Sequence, residues 1–413
     1  MALGLVLHAM LSFMPGIWPV RDARQSDTYY LFFAAIHGFR MPLFFLLSGF
    51  FTAMLWRRRG LGALLRQRAM RILLPLVIGM FTVVPAVSIV SVLAMRGGAD
   101  EVRTDGNEGE QAPVTDATSD LWTAISGDDI ESVRRLLDEG ADVNGPHPSQ
   151  GHRPLVHVLM AFPLFHHLWF LWFLCWLVPA FAIGVKVARA LKWKSPPSWL
   201  ALSPARLLWL LPLTMAPQWF MGGQIEVFGP DTSLGLIPIP HVLAYYAIFF
   251  GFGALYYEAG DDAGRLGAWW RITLPVMLLL LLPLGLEVTH DISGERDSWL
   301  PARWHKLAVG VLQVTYAWVM SFALMGLCRS LLVGESSRVR YLSDASYWLY
   351  LMHVPLVIAA QWAVRPWPVP SLLKFALINL VVGGFLLFTY QHMVRYTWIG
   401  TLLNGRRQRP PKT

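Results

Sequence analysis

The sequence predicts an all-α polytopic membrane protein of about ten transmembrane helices, with a small helical insertion between the third and the fourth. Three observations carry that prediction. Hydrophobic residues make up 55% of the 413-residue chain and charged residues only 15%. The apolar residues fall in blocks of about 20, the length at which a helix crosses a hydrocarbon layer. The basic residues, which give a net charge of +8, gather at the ends of those blocks, where membrane topology places them. That placement argues against nucleic acid as a partner and for the lipid bilayer.

The blocks run at 1–18, 30–56, 72–95, 164–185, 206–221, 241–258, 272–289, 306–327, 345–363 and 371–394. The first reads MALGLVLHAMLSFMPGIW and lacks the basic n-region and cleavage site of a signal peptide. It is expected to be the later part of a helix whose first turns lie upstream of Met1. The fifth is short and interrupted by Pro212 and Pro217. Alternating the connections puts the basic segments 57–71, 186–206, 261–271 and 329–340 on one face with the Arg406, Arg407, Arg409 tail. By the positive-inside rule that face is cytoplasmic, as are both termini. The expected organisation is helices 1–3 in 1–95, an insertion in 96–163, helices 4–10 in 164–400 and a basic tail in 401–413. Cys175 and Cys328 lie in or at the end of separate apolar blocks, so no disulfide framework is indicated.

The insertion differs from every other connection. It carries thirteen Asp or Glu against five Lys or Arg, and its first part, almost without large apolar residues, has the composition of a linker. Its second part, DLWTAISGDDIESVRRLLDEGADVNGPHPSQGHRPLVHVLMAF, resembles an ankyrin repeat. One repeat cannot bury a continuous core, because solenoids need about three or more. The stretch is therefore either a partner-binding module on the outer face or a passive insertion leaning on the membrane domain.

Ionisable groups inside membrane spans are costly and are candidates for function. Here they are His8, His37, Arg40, His353 and Glu287. Counting 1.5 Å per residue from Trp18 and from Tyr30, both His8 and Arg40 are expected about 15 Å down, near the bilayer midplane. His37 and Arg40, three apart, share a helix face, so two antiparallel neighbours would gather His8, His37 and Arg40 around one cavity. Histidine titrates nearest neutrality and suits proton transfer to and from a hydroxyl, whereas an arginine at midplane needs an anion, a carbonyl or water beside it. Arg68 and Arg71 stand at the expected start of helix 3, where two guanidiniums beside free N–H groups would make a phosphate site, or would serve as topological anchors. No P-loop, GxGxxG or CxxC pattern occurs. His166 and His167 are adjacent and are expected on different helix faces, so no metal is anticipated.

The segments GLVLHAM, HGFRMPLFFLLSGFFTAML, RQRAMRILLPL, HHLWFLWFL and SDASYWLYLMHVPL, in this order, resemble the membrane acyltransferase family 3, and within it the glucan branch. The resemblance covers the chain outside the insertion. It implies an integral enzyme of the bacterial inner membrane that moves an acyl group from a cytoplasmic acyl-CoA to a hydroxyl of an exported glycan. By resemblance, His8 falls on the family's helix-1 histidine and serves the acyl transfer, while Arg68 and Arg71 fall on its Arg-x-x-Arg and clamp the phosphates of coenzyme A. The family's arginine upstream of that histidine falls before Met1, and the glutamate of other branches after the Leu-Trp of helix 4 is absent. The expected function is O-acylation, acetyl or succinyl, of a periplasmic or surface glycan, with His8, His37 and Arg40 catalytic, Arg68 and Arg71 on acyl-CoA and His353 lining the substrate cavity. A transporter or flippase without covalent chemistry, and an inactive scaffold relative, are the alternatives.

Overall fold

The computed structural model describes residues 2–16, 18–104, 135, 156, 159–160, 162–222, 228–292, 301–332, 334 and 336–405. The ankyrin-like stretch lies outside the described residues apart from isolated positions. Among the described residues the secondary structure is helical throughout.

Helix α1, Ala2–Met10, tightens into a 3-10 turn over Leu11–Phe13. Helix α2, Asp27–Arg68, is capped by the Ser26 hydroxyl, which accepts from the Thr28 amide at 3.3 Å. A π turn, Ala69–Leu73, leads straight into α3, Leu74–Thr104. After the insertion come α4, Trp169–Ala190, the short α5, Trp199–Leu202, α6, Arg206–Gln218, and α7, Pro240–Ala259. Helix α8, Trp270–Val276, runs through a π turn into α9, Leu282–Ile292. Then follow α10, Ala302–Leu331, α11, Ser337–Val364, α12, Ser371–Thr389, and the short α13, Trp398–Asn404.

Seven helices among the described residues are long and apolar enough to cross a membrane, so this is a multi-pass membrane protein. The first, Asp27–Arg96, is 70 residues long, roughly 105 Å at 1.5 Å per residue and over three times the ~30 Å hydrocarbon thickness. It holds two of the expected blocks, and its helical geometry breaks between them at Gly60, φ 79 and ψ 171. Two other blocks make shorter helices than the sequence predicted. The apolar helix at the start spans Leu3–Phe13 before Pro15 and Gly16 turn the chain, and α6 has 13 residues.

Side-chain contacts sort the helix ends into two groups. At one end Arg57 of α2 pairs with Glu258 at the end of α7, and Arg189 at the end of α4 lies over Trp56. Arg329, near the end of α10, donates to the carbonyls of Asp261 and Asp262 at this same end. Helices α2, α4, α7 and α10 therefore run in one sense, from a second end towards this basic end. The two ends are joined by an aromatic core: Phe45 packs on Phe170 and Tyr246 at ring distances of 4.8 and 4.5 Å, and Phe249 stacks on Trp318 at 3.8 Å. Helices α2 and α7 touch backbone to backbone. A Cβ on Gly49 would sit 1.8 Å from the Phe250 oxygen, and one on Gly253 would sit 1.8 Å from the Leu46 oxygen, so this crossing needs glycine from both helices.

Candidate active site

At the second end the helices enclose a cavity of about 550 Å³, within the ~300–1,000 Å³ usual for small-molecule sites. His8 from α1, and His37 and Arg40 from α2, all line it, so the structure brings together the three residues that the sequence grouped. His37 stacks on Phe33, rings 5.0 Å apart. The loop before α7 closes over it at Gly229, φ 136, where a Cβ would lie 2.5 Å from the imidazole Cδ2. Arg40 has no hydrogen bond or ion pair among the described residues, and its Nε is buried. A guanidinium left unpaired beside a cavity in the membrane domain is costly unless something else in the cavity meets it.

His8 is held by its neighbours in one tautomer. His353 Nδ1 lies 3.0 Å from the Leu349 oxygen and 2.9 Å from the Tyr350 oxygen, so it carries the proton and donates to both. Its Nε2 is then an acceptor, and the group facing it at 3.0 Å is His8 Nδ1. His8 Nδ1 must therefore carry a proton, which also suits its 2.9 Å approach to the Gly4 oxygen. What remains on His8 is Nε2, a lone pair without a partner among the described residues. His353 itself is buried and is not part of the cavity wall. It stands behind His8 instead of lining the cavity.

The depth expected for His8 needs correction. The sequence spacing makes Trp18 the outer end of a continuous helix, but α1 stops at Met10 and the chain folds back, so the indole stacks on the His8 ring at 5.9 Å and 28°. The buried Gln361 holds this arrangement. Its amide nitrogen donates to the carbonyls of His8 and Ala9 at 3.0 and 3.2 Å, and its oxygen accepts from Trp18 Nε1 at 2.8 Å. The carbonyls at the end of α1 thus find the partners that helix termini lack. A buried pair, Lys374 to Asp22 at 2.7 Å, ties the same α1–α2 connection to α12.

Three further cavity residues escaped the sequence reading. His166 and His167 were expected on different helix faces, yet both line the cavity, because His166 has a left-handed φ of 43 at the start of a 3-10 turn. His167 Nε2 donates to the Leu351 oxygen at 3.0 Å, while its buried Nδ1 has no partner among the described residues. Asp231 reaches the wall from the loop before α7. Burial pushes its carboxyl up from the ordinary aspartate value, although the Gly222 amide, donating to Oδ2 at 3.1 Å, opposes this. Among the described residues no group of three or more His, Cys, Asp or Glu could hold a metal ion.

Arg68 and Arg71 lie elsewhere, at the basic end. Arg68 Nη2 donates to Thr52 Oγ1 at 3.0 Å, and the Arg71 carbonyl accepts from the Tyr347 hydroxyl at 2.5 Å. The free helix start expected beside them is absent. Helix α2 passes through Arg68 into the π turn that holds Arg71, so the backbone N–H groups there are bonded within the helix. Thr52 is twelve residues from Arg40 on the same helix, ~18 Å along its axis. Glu287 is exposed on α9, away from the cavity. Cys175 and Cys328 are free thiols.

A multi-pass helical fold around a cavity lined by histidines and an arginine without a protein partner among the described residues defines a membrane protein with a polar pocket inside its helical domain. The family of that class is identified by comparison: the acyltransferase family 3 profile, described as an acyltransferase domain, matches residues 1–390, and the chain belongs to this family of membrane acyltransferases. It is 24% identical over 411 residues to glucans biosynthesis protein C of Salmonella paratyphi A, covering 98% of this chain and 92% of that protein. The proteins of the same name from Salmonella agona and Salmonella schwarzengrund match with the same identity and coverage. No solved structure matches the chain.

Proposed function

We propose that the chain is an O-acyltransferase that moves an acyl group, acetyl or succinyl, from a cytoplasmic acyl-CoA to a hydroxyl of a periplasmic or cell-surface glycan. The observation that carries this reading is the His8 tautomer, with Nδ1–H engaged by His353 and Nε2 left without a partner beside a cavity that also holds Arg40. In this scheme the acceptor hydroxyl oxygen attacks the thioester carbonyl carbon and its proton passes to His8 Nε2. The tetrahedral intermediate collapses, the carbon–sulfur bond breaks, and the leaving thiolate takes the proton back from His8. The products are the glycan ester and free coenzyme A. Arg40, with His37 on the same helix face, meets the negative charge that develops on the carbonyl oxygen, or the distal carboxylate of a succinyl group.

Arg68 and Arg71 hold the phosphates of the donor at the basic end, which is then the cytoplasmic face. The cavity end is the outer face, where the acceptor enters, and the acyl group reaches Arg40 along an axis of ~18 Å. Ten crossings on this reading count α1 and α6 as two short ones. The glycan assignment draws on the name of the matched relatives, which ties those proteins to glucan biosynthesis.

The test is mass spectrometry of periplasmic and surface glycans from a deletion strain complemented with wild type, with His8→Ala, or with Arg68→Ala and Arg71→Ala together, at matched expression. Wild type is expected to restore an acetyl or succinyl mass that neither variant restores. No acyl mass with wild type, alongside altered glycan export, would favour a carrier.

A further inference from the structure

The cavity holds groups of both signs. His8, His37 and Arg40 line it, whereas Asp231, from the loop before α7, alone is acidic among the described residues that line it. Trp18 reaches the wall from the α1–α2 connection, and its indole is fixed against His8 through Gln361. Asp231 is fixed as well. Its main-chain oxygen accepts from the Tyr246 hydroxyl at 3.1 Å, and Oδ2 accepts from the Gly222 amide at 3.1 Å. Oδ1 has no partner among the described residues.

A carboxylate accepts hydrogen bonds and, when ionised, offers none. In the cavity wall, it disfavours phosphates and carboxylates and favours a neutral molecule rich in hydroxyls. An indole adds a broad apolar plane with one polar edge, which suits the C–H face of a pyranose ring. We propose that Trp18 and Asp231 form the subsite for the acceptor sugar. The ring rests against the indole, two neighbouring hydroxyls donate to Asp231, and a further hydroxyl is presented to His8 Nε2. This inference rests on the acyltransferase reading above and adds which residues choose the acceptor. It also separates the two substrates by charge: anionic donor to the arginine-rich end, neutral sugar to the part of the cavity beside Asp231.

The experiment uses the full chain in lipid nanodiscs, with a neutral gluco-oligosaccharide as acceptor and acetyl-CoA or succinyl-CoA as donor. Acceptor KM, donor KM and the equilibrium Kd of the oligosaccharide without donor are measured for wild type, Asp231→Asn, Trp18→Ala and Trp18→Phe. Asp231→Asn preserves volume and still accepts from Gly222, yet loses the charge. Losing a hydrogen bond to a charged group weakens binding roughly ten- to hundredfold, so acceptor KM and Kd rise together by that factor while donor KM stays constant. Trp18→Ala raises the same two constants, and Trp18→Phe, which keeps an aromatic plane, raises them less. If wild type acylates the sugar and the variants keep acceptor KM and Kd within about twofold, the subsite is wrong although the transferase reading stands. A parallel rise of donor and acceptor KM would mark a merely structural role and also overturn it. If wild type neither binds nor acylates the oligosaccharide, both readings fall.

Discussion

The cavity and the paired cations of the basic end treat charge differently. At the basic end Arg57 is matched by Glu258 and Arg329 by two main-chain carbonyls, whereas Arg68 donates to the Thr52 hydroxyl and keeps a buried Nε without a partner among the described residues. At the cavity end, Arg40 has no protein partner, His8 Nε2 is left free and Asp231 Oδ1 is unclaimed among the described residues. Unmet polar groups in an apolar surround are costly, and a fold retains them where a substrate completes the set. The contrast teaches that burial depth alone is a poor guide to function here. Arg57 and Arg329, which the protein itself satisfies, act as anchors, whereas Arg40 and Arg68 keep an N–H for something else.

Breaking the unsatisfied set should cost activity, and breaking the satisfied sets should cost stability. The largest effect is expected for His8→Ala, which removes the proton acceptor and lowers turnover roughly 10²- to 10⁴-fold, far more than the modest fall in unfolding midpoint that comes from unpairing His353 Nε2. Next is Lys374→Met, which leaves Asp22 buried without its cation. Stability is expected to fall by about 3–5 kcal/mol, read as a lower unfolding midpoint in nanodiscs, and Asp22→Asn on the same background should recover part of it. Gln361→Leu follows. It strips partners from two carbonyls and the Trp18 indole, for a loss of about 1–3 kcal/mol and a disproportionate rise in acceptor KM as Trp18 loosens over His8. The smallest effect belongs to Arg57→Ala. That pair has side chains 45% and 22% exposed, so its removal should change stability by less than about 1 kcal/mol and leave kinetics alone. A large loss of turnover in Arg57→Ala would blur the division between the two ends.

Much of the fold could be read from the apolar blocks, because a helix in lipid must satisfy its own backbone and so needs a long run of apolar residues. The pairing of His37 with Arg40 was legible for the same reason, being local spacing on one regular helix. Contacts created by chain reversal were not. Trp18 stands ten residues beyond His8 in sequence, and only the break after Met10 brings the rings to 5.9 Å. The pairing of His353 with His8 spans 345 residues, and Gln361 lies still farther from its partners in α1. His166 and His167 misled because helical periodicity was assumed where a left-handed residue starts the turn. Asp231 carried no signal beyond being an acidic residue in a loop rich in glycine and proline. The expected helix start at Arg68 failed for the converse reason: nothing between Leu64 and Leu74 stops a helix, and the chain runs through.

The central claim is that the cavity performs covalent transfer. It is tested most directly with the purified full chain in nanodiscs, given acyl-labelled coenzyme A and a neutral gluco-oligosaccharide, by following the label. Transfer of label to the sugar by wild type, with His8→Ala leaving it on the donor, is the predicted result. Label that stays on coenzyme A with wild type, or that reaches the sugar equally fast with His8→Ala, would contradict it.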